Sequence, residues 1–190
     1  LFTGSAGGGV FAIDAKTGKT VWNYDTAPEG PRDSAATGSQ MYVAMAMGRG
    51  IPNAQGVTVA EDKVFVGMTN GRLLAIGEHT GELLWSHQVG NDPPKPGQSI
   101  TAAPAYYDGV IYIGLGNGDY HVRGKMDAID AKTGKELWRF YTVPGPGEFG
   151  HDTWPNDDVY KIGGGGVWQI AGVDPDLGMV FIVVGNPTPA

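Results

Sequence analysis

Apolar residues along this chain fall in short runs of strand length rather than in helical stripes. Four runs stand out: Leu1-Phe2, Lys63-Val64-Phe65-Val66-Gly67, Val110-Ile111-Tyr112-Ile113-Gly114 and Met179-Val180-Phe181-Ile182-Val183. Their alternating or continuous apolar character predicts strands. A shorter strand with a turn signal precedes each of the last three: Val57-Thr58-Val59 to Asp62, Ala105-Tyr106-Tyr107-Asp108-Gly109, and Ala171-Gly172-Val173-Asp174-Pro175. A longer motif follows the first three. It reads A-I-D-A-K-T-G-K-T-V-W from Ala12 to Trp22, A-I-G-E-H-T-G-E-L-L-W from Ala75 to Trp85, and A-I-D-A-K-T-G-K-E-L-W from Ala128 to Trp138. Each copy is a strand end, a Thr-Gly turn whose glycine supplies the positive φ of a tight reversal, and a strand carrying Trp. Met41 to Met47 is apolar but has neither caps nor a helical period.

A hairpin repeated three times, within units of about four short antiparallel strands, predicts an all-β chain built as a β-propeller with about four blades covered here. A β-sandwich competes but does not account for three near-copies of one hairpin. No domain boundary is visible, so residues 1–190 read as part of a single propeller domain. The irregular segments Pro28 to Gly56 and Gly145 to Gly163 are expected to be insertions on one face, where repeat proteins often bind.

Composition agrees with many short strands and tight turns: 32 glycines and 13 prolines without a collagen period, and 41% hydrophobic residues, enough for a core. Thirteen Lys and Arg against 20 Asp and Glu leave a net charge of −7, with no basic run, which argues against nucleic acid as a partner. No apolar stretch reaches the roughly 20 residues of a membrane-spanning helix. The lack of cysteine excludes disulfides and thiolate metal sites.

Candidate chemistry follows from repeat phase. One and the same step along the chain from Val64, Ile111 and Val180 reaches Asn70, Asn117 and Asn186, which places these residues on one rim of successive blades. Asp119 lies just beyond Asn117, so Asp119 and Asn186 are expected to converge at the mouth of the propeller axis. Carboxylate and amide oxygens suit a hard cation such as Ca²⁺, although Asn and Asp are also common turn formers. Gly163 to Gly166 precede Val167-Trp168, and their missing side chains are expected to leave one face of Trp168 open to a flat ligand. Trp168 as a packed core residue is the alternative. His79, His87, His121 and His151 lack zinc-like spacing. The neighbours His151 and Asp152 read as loop residues, and Arg123 reads as a salt-bridge partner within its blade.

The A-x-D-x-x-T-G-x-x-x-W runs resemble the tryptophan-docking repeats of the quinoprotein dehydrogenases, enzymes that carry pyrroloquinoline quinone (PQQ) on an eight-bladed propeller. Four further segments resemble that family's motifs in the same order: Thr101-Ala102-Ala103-Pro104, Asn117 to Gly124, Gly164-Gly165-Gly166-Val167-Trp168, and Gly185-Asn186-Pro187. The resemblance implies that Trp168 is the floor on which the quinone stacks and that Asp119 and Asn186 hold Ca²⁺ or a lanthanide ion. It further implies that Thr101, the backbone at Asn117 and Gly118, and the positions of Gln55 and Gly166 contact the quinone. It implies oxidation of an alcohol, aldehyde or sugar, with cytochrome c or a membrane quinone as electron acceptor, in the periplasm or outside the cell.

The chain departs from the family pattern at several points. Asp119 stands where Glu is usual, Gln55 where Arg is common and Gly166 where Thr is found, and the adjacent Cys pair is absent. These departures keep open a non-catalytic scaffold similar to the outer-membrane-assembly propellers. By the same resemblance the chain is expected to be a piece of a longer enzyme, with the remainder of the propeller and the catalytic Asp lying beyond it. No catalytic base is assigned within these residues.

Overall fold

In a computed structural model of the chain, which describes residues 1–5, 8–26, 51–52, 55–91, 97–154 and 158–188, the strands form successive antiparallel sheets. The first has β1 (Phe2–Ser5), β2 (Gly9–Ile13) and β3 (Thr20–Asp25). The second has β4 (Thr58–Ala60), β5 (Lys63–Gly67), β6 (Arg72–Gly77) and β7 (Leu83–Gln88). The third has β8 (Ala105–Tyr107), β9 (Val110–Gly114), β10 (Lys125–Asp130) and β11 (Glu136–Tyr141), and the fourth begins with β12 (Gly172–Asp174) and β13 (Met179–Phe181). Each sheet runs in simple chain order. The only helices among the described residues are short 3₁₀ turns. Met41 to Met47 and most of the first insertion lie outside the described residues.

Each predicted hairpin forms with the same register, and the ladder shifts at the same point in each copy: between Ala12 and Ile13, Ala75 and Ile76, and Ala128 and Ile129. The motif's Asp explains the turn. The Asp130 carboxylate accepts from the Thr133 hydroxyl at 2.7 Å and the Thr133 N–H at 2.6 Å, and Asp14 accepts from the Thr17 N–H at 2.8 Å and its hydroxyl at 2.9 Å. Such local bonds favour turns over a continued strand. The middle copy has Gly77 at this position. A side chain there would strike the Thr80 hydroxyl, so threonine occupies the space that the Asp takes in its sister copies.

The sheets pack face to face, with one core between each successive pair. Val10, Phe2 and Trp22 of the first sheet meet Val64, Val66, Leu74 and Ile76 of the second. Phe65, Leu73 and Ala75 face the other way, onto Ile111, Ile113 and Ile129 of the third. Met126 and Ala105 of the third meet Val173 and Val180 of the fourth. A central blade is thus buried on both faces, which is why β5 and β6 read as continuous apolar runs. Three cores between four consecutive sheets exclude a two-layer sandwich and give the predicted propeller stacking. β8 touches β4 on one side and β12 on the other, which marks these strands as the inner edge.

Two of the three motif tryptophans, Trp22 and Trp85, join neighbouring blades. Trp22 donates from Nε1 to the Glu78 carbonyl at 2.7 Å, and Trp85 to the Ala131 carbonyl at 3.2 Å. Each indole lies over the Thr-Gly turn of the next blade. A methyl group on Gly81 would fall 2.9 Å from Trp22, and one on Gly134 would fall 2.8 Å from Trp85. Gly18, in the first copy, has nothing within 4 Å of such a methyl. Gly18 and Gly134 both have positive φ, 70° and 73°, so alanine at either costs about 1–2 kcal/mol of backbone strain. Gly134→Ala is expected to lose more stability than Gly18→Ala, by the cost of displacing Trp85, when the two are compared by urea denaturation. Equal losses would show that the indole moves aside freely.

Candidate functional site

The glycine run is the piece that assembles the site, though not by the expected route. Residues 163–167 pass between the loop following β9 and the segment following β13, with left-handed φ of 74° and 64° at Gly164 and Gly165. On one side Val167 N–H donates to the Leu115 carbonyl at 2.7 Å, Gly164 N–H to Val122 at 2.9 Å, and Gly124 N–H to Gly164 at 2.7 Å. On the other side Gly165 N–H donates to Asn186 at 3.0 Å, Gly185 N–H to Gly166 at 2.9 Å, and Thr188 N–H to Gly163 at 3.0 Å. Every glycine of the run is crowded. A methyl on Gly164 would lie 2.7 Å from the Asn186 carbonyl oxygen, one on Gly163 2.7 Å from Val143, one on Gly165 2.8 Å from Val143, and one on Gly166 3.0 Å from the Gly118 nitrogen. The expectation that these glycines clear a face of Trp168 is therefore corrected. Their small size lets three backbone segments approach closely, which larger residues would forbid.

This stitching brings together residues distant in sequence. The Asn186 amide donates from Nδ2 to Asp119 Oδ1 at 2.9 Å across 67 residues. Asp119 sits on the 3₁₀ turn Gly118–Tyr120, whose start is set by Asn117 at φ 58° and whose end is set by His121 at φ 58°. Such left-handed conformations are tolerated by Asn and His more readily than by most residues. Thr188 ties the same turn down by donating its hydroxyl to the Gly118 carbonyl at 3.3 Å and to the Ile162 carbonyl at 2.7 Å. Trp168 follows directly, with 43% of its surface exposed. The Thr101 hydroxyl holds its backbone, donating to the Trp168 carbonyl at 3.2 Å. The expected convergence of Asp119 and Asn186 is thus observed beside an open indole and Thr101. Gly118 and Gly166 are packed against each other. Gln55 is exposed in the turn before β4.

Repeat phase alone did not distinguish the three asparagines. Asn70 serves its own turn, accepting at Oδ1 from the Arg72 N–H at 3.3 Å and at its carbonyl from Gln88 at 2.9 Å. The Nδ2 of Asn117, by contrast, is buried with no hydrogen-bond partner among the described residues. A buried amide N–H₂ without an acceptor is costly, and among the described residues Ser99 Oγ and His87 Nε2 are in the same position. Arg123 takes the structural role expected of it. Its Nε donates to the Val143 carbonyl at 2.9 Å, its Nη2 pairs with Glu148 at 2.7 Å, and its guanidinium stacks 3.6 Å over the Tyr141 ring. His151 lies 3.2 Å from the Pro144 carbonyl and edge-on to Tyr160, a loop role.

A second polar cluster, between the second and third blades, escaped sequence reading because its members are scattered over three strands. His87 on β7 faces Asp127 on β10 and Glu136 on β11. Asp127 is fully buried and accepts a fork from Arg139, Nε to Oδ1 at 2.8 Å and Nη2 to Oδ2 at 2.7 Å, and Arg139 also meets Glu136 at 2.7 Å. With its oxygens committed to Arg139, Asp127 is an ion-pair residue rather than a cation ligand. Burial pushes the His87 imidazole below its usual pKa, only partly opposed by Asp127 and Glu136. The folded state therefore takes up a proton less readily than the unfolded chain, whose histidine titrates near pH 6.5. The stability contributed by neutral His87 is present above that pH and lost as pH falls through the lower folded value. Wild type is expected to lose more denaturation midpoint than His87→Gln between pH 7.5 and 5.5. An identical loss in both would remove His87 as the cause.

The stacked antiparallel sheets, two of them complete with four strands, and the docked tryptophans define the chain as part of a β-propeller. All of residues 1–190 match the PQQ family model, described as the β-propeller domain of glucose, ethanol and alcohol dehydrogenases, and the chain belongs to that family. It is 40% identical over 199 aligned residues to quinohemoprotein alcohol dehydrogenase ADH IIB of Pseudomonas putida, an alignment that covers 100% of this chain and 27% of that protein. Among solved structures it is similar to quinohemoprotein alcohol dehydrogenase ADHIIG from Pseudomonas putida HK5, with 36% identity and a TM-score of 0.78, covering 98% of this chain and 27% of that one. It is also similar to a europium-containing methanol dehydrogenase, with 26% identity and a TM-score of 0.74, covering 94% and 32%. The chain thus spans about a quarter of the length of the curated relative it matches.

Proposed function

We propose that the protein carrying this chain oxidises an alcohol using PQQ together with Ca²⁺ or a lanthanide ion. The observation that carries this reading is the Asp119–Asn186 pair, drawn from two blades to 2.9 Å beside the exposed Trp168. The residues fit the group. Asp119 is a hard anionic ligand, and rotating the Asn186 amide exchanges Nδ2 for Oδ1, so the pair can offer two oxygens to one cation. Trp168 offers a π face for a planar ring, Asn117 Nδ2 an unsatisfied buried donor, and Thr101 a hydroxyl at the same place. When bound, the metal and quinone supply a carbonyl electrophile made reactive by a Lewis acid.

The chain's own contribution is placement. The glycine segment fixes the distance between the two ligands, and Thr188 and the flanking left-handed residues hold the Asp119 turn before any cation arrives. This preorganisation reduces the ordering cost of binding. The proton acceptor for the alcohol is assigned to the parts of the protein outside this chain. Electrons are assigned to cytochrome c or a membrane quinone, and the location to the periplasm or the cell exterior. A scaffold role leaves the converged acid–amide pair without a purpose.

The test is the full-length protein purified with Ca²⁺ or with a lanthanide. Extracted cofactor is expected to show the PQQ absorption spectrum, and the loaded protein to reduce a dye on addition of a primary alcohol. Protein that retains neither quinone nor metal after reconstitution would overturn the reading.

A further inference from the structure

We infer that a cavity between the second and third blades is a binding site for a small multivalent anion, a phosphate or a polycarboxylate, separate from the quinone and metal site. The cavity has a volume of about 630 Å³, within the usual range for small-molecule sites. Arg123, Lys125, Arg139 and Lys161 line it together with Asn91 and Gln98, and among the described residues no Asp or Glu does. Asp119, Asn186 and Trp168 are not in its wall. Four cations line the cavity while the carboxylates that pair with them are absent from its wall, so the lining itself offers an anion donors and no carboxylate.

Lys125 is the residue that asks for a ligand. Its side chain is only 8% exposed, and its one ion contact is Asp127 at 3.7 Å, beyond hydrogen-bond length. Asp127 is already held by the two shorter bonds from Arg139. Burial depresses the Lys125 pKa despite Asp127, so the ammonium is poorly compensated where it stands. The other cations have their carboxylates elsewhere: Arg123 has Glu148, Arg139 has Asp127 and Glu136, and Lys161 has Asp158. They hold their positions without covering Lys125. Asn91 and Gln98, also in the lining, bond each other, Asn91 N–H donating to Gln98 Oε1 at 2.6 Å, which fixes a polar part of the wall. A polyanion seated here would complete the Lys125 donors and neutralise several cations at once, an interaction stronger inside a cavity than in open water.

The experiment uses the holoenzyme in a low-salt buffer free of multivalent anions. Acetylation by a limiting active ester is followed residue by residue by peptide mass mapping, with inorganic phosphate, citrate, or sodium chloride at matched ionic strength. Only a neutral amine reacts, so an anion that raises the Lys125 pKa by about one unit slows its labelling about tenfold. Phosphate and citrate are expected to protect Lys125 saturably while chloride does not, with Lys16 and Lys19 labelled at unchanged rates throughout. Lys161→Ala, at an exposed position that folding does not depend on, is expected to shift the protection to several-fold higher anion concentration. Loss of Lys125 labelling in parallel with Lys16 and Lys19, or equally in chloride, would reduce the effect to ionic screening and overturn the inference. A Lys125 that is inert with and without anion would overturn it too, because the cavity would not open onto the ammonium.

Discussion

Asp119→Ala in the full-length protein is expected to abolish retention of the metal and, with it, of the quinone, while leaving the blades folded. Asp119 is exposed, and its one side-chain bond among the described residues is to the equally exposed Asn186. Losing it should change stability by no more than about 0.5 kcal/mol, the usual range for a surface position. Its effect on the ion is of another size. Asp119 brings the only negative charge in the pair, and even partners outside a coordination shell cost 10–100-fold in metal affinity, so removal of the carboxylate itself should weaken retention by about 100-fold or more. Metal analysis and the spectrum of extracted cofactor measure this directly, with circular dichroism to verify the fold. Asp119→Glu restores the charge one methylene farther out and is expected to recover binding. Trp168→Ala should keep much of the metal affinity and lose quinone. If both alanine variants take up PQQ as the wild type does, the site lies elsewhere.

The second large effect concerns the inter-blade ion cluster. Asp127→Ala removes a fully buried carboxylate from Arg139, which holds it by two bonds, and from Lys125. The deletion leaves the buried Lys125 without its carboxylate and Arg139 with Glu136 alone, and breaking a buried pair in this way costs about 3–5 kcal/mol. Against a total stability of about 5–15 kcal/mol, that removes more than half of the stability of a protein at the low end of the range. Glu136→Ala is the internal control. Glu136 meets the same Arg139 at 2.7 Å but is exposed, and an exposed pair contributes about 1 kcal/mol or less. Denaturant titrations of the two variants should therefore separate by several kcal/mol. Equal midpoints would mean that water reaches Asp127 and that the cluster is no more than a surface network.

Much of the blade architecture is written in local sequence because its causes are local. Thr-Gly supplies a turn, an Asp two to four residues earlier bonds that turn's amides, and apolar runs on both faces signal a strand buried between two sheets. Those signals repeat, so the repeat was legible and the propeller followed from it. The order of the Thr101, Asp119, Trp168 and Asn186 segments was legible for the same reason, since each is a contiguous motif.

The tertiary structure decided what depends on pairing across blades. Asn70 and Asn117 occupy equivalent phases, yet one finishes its own turn and the other is left with a buried unsatisfied donor, because the glycine segment packs beside the loop of Asn117. The four glycines looked like space around Trp168. They are instead crowded positions, Gly164 and Gly166 by backbone and Gly163 and Gly165 by the Val143 side chain, and sequence cannot tell an open glycine from a crowded one, since both lack the same Cβ. The cavity around Lys125 was invisible to reading in order. Its cations come from a loop, two strands and an insertion, each unremarkable alone, and only the stacking of blade on blade brings them to one space.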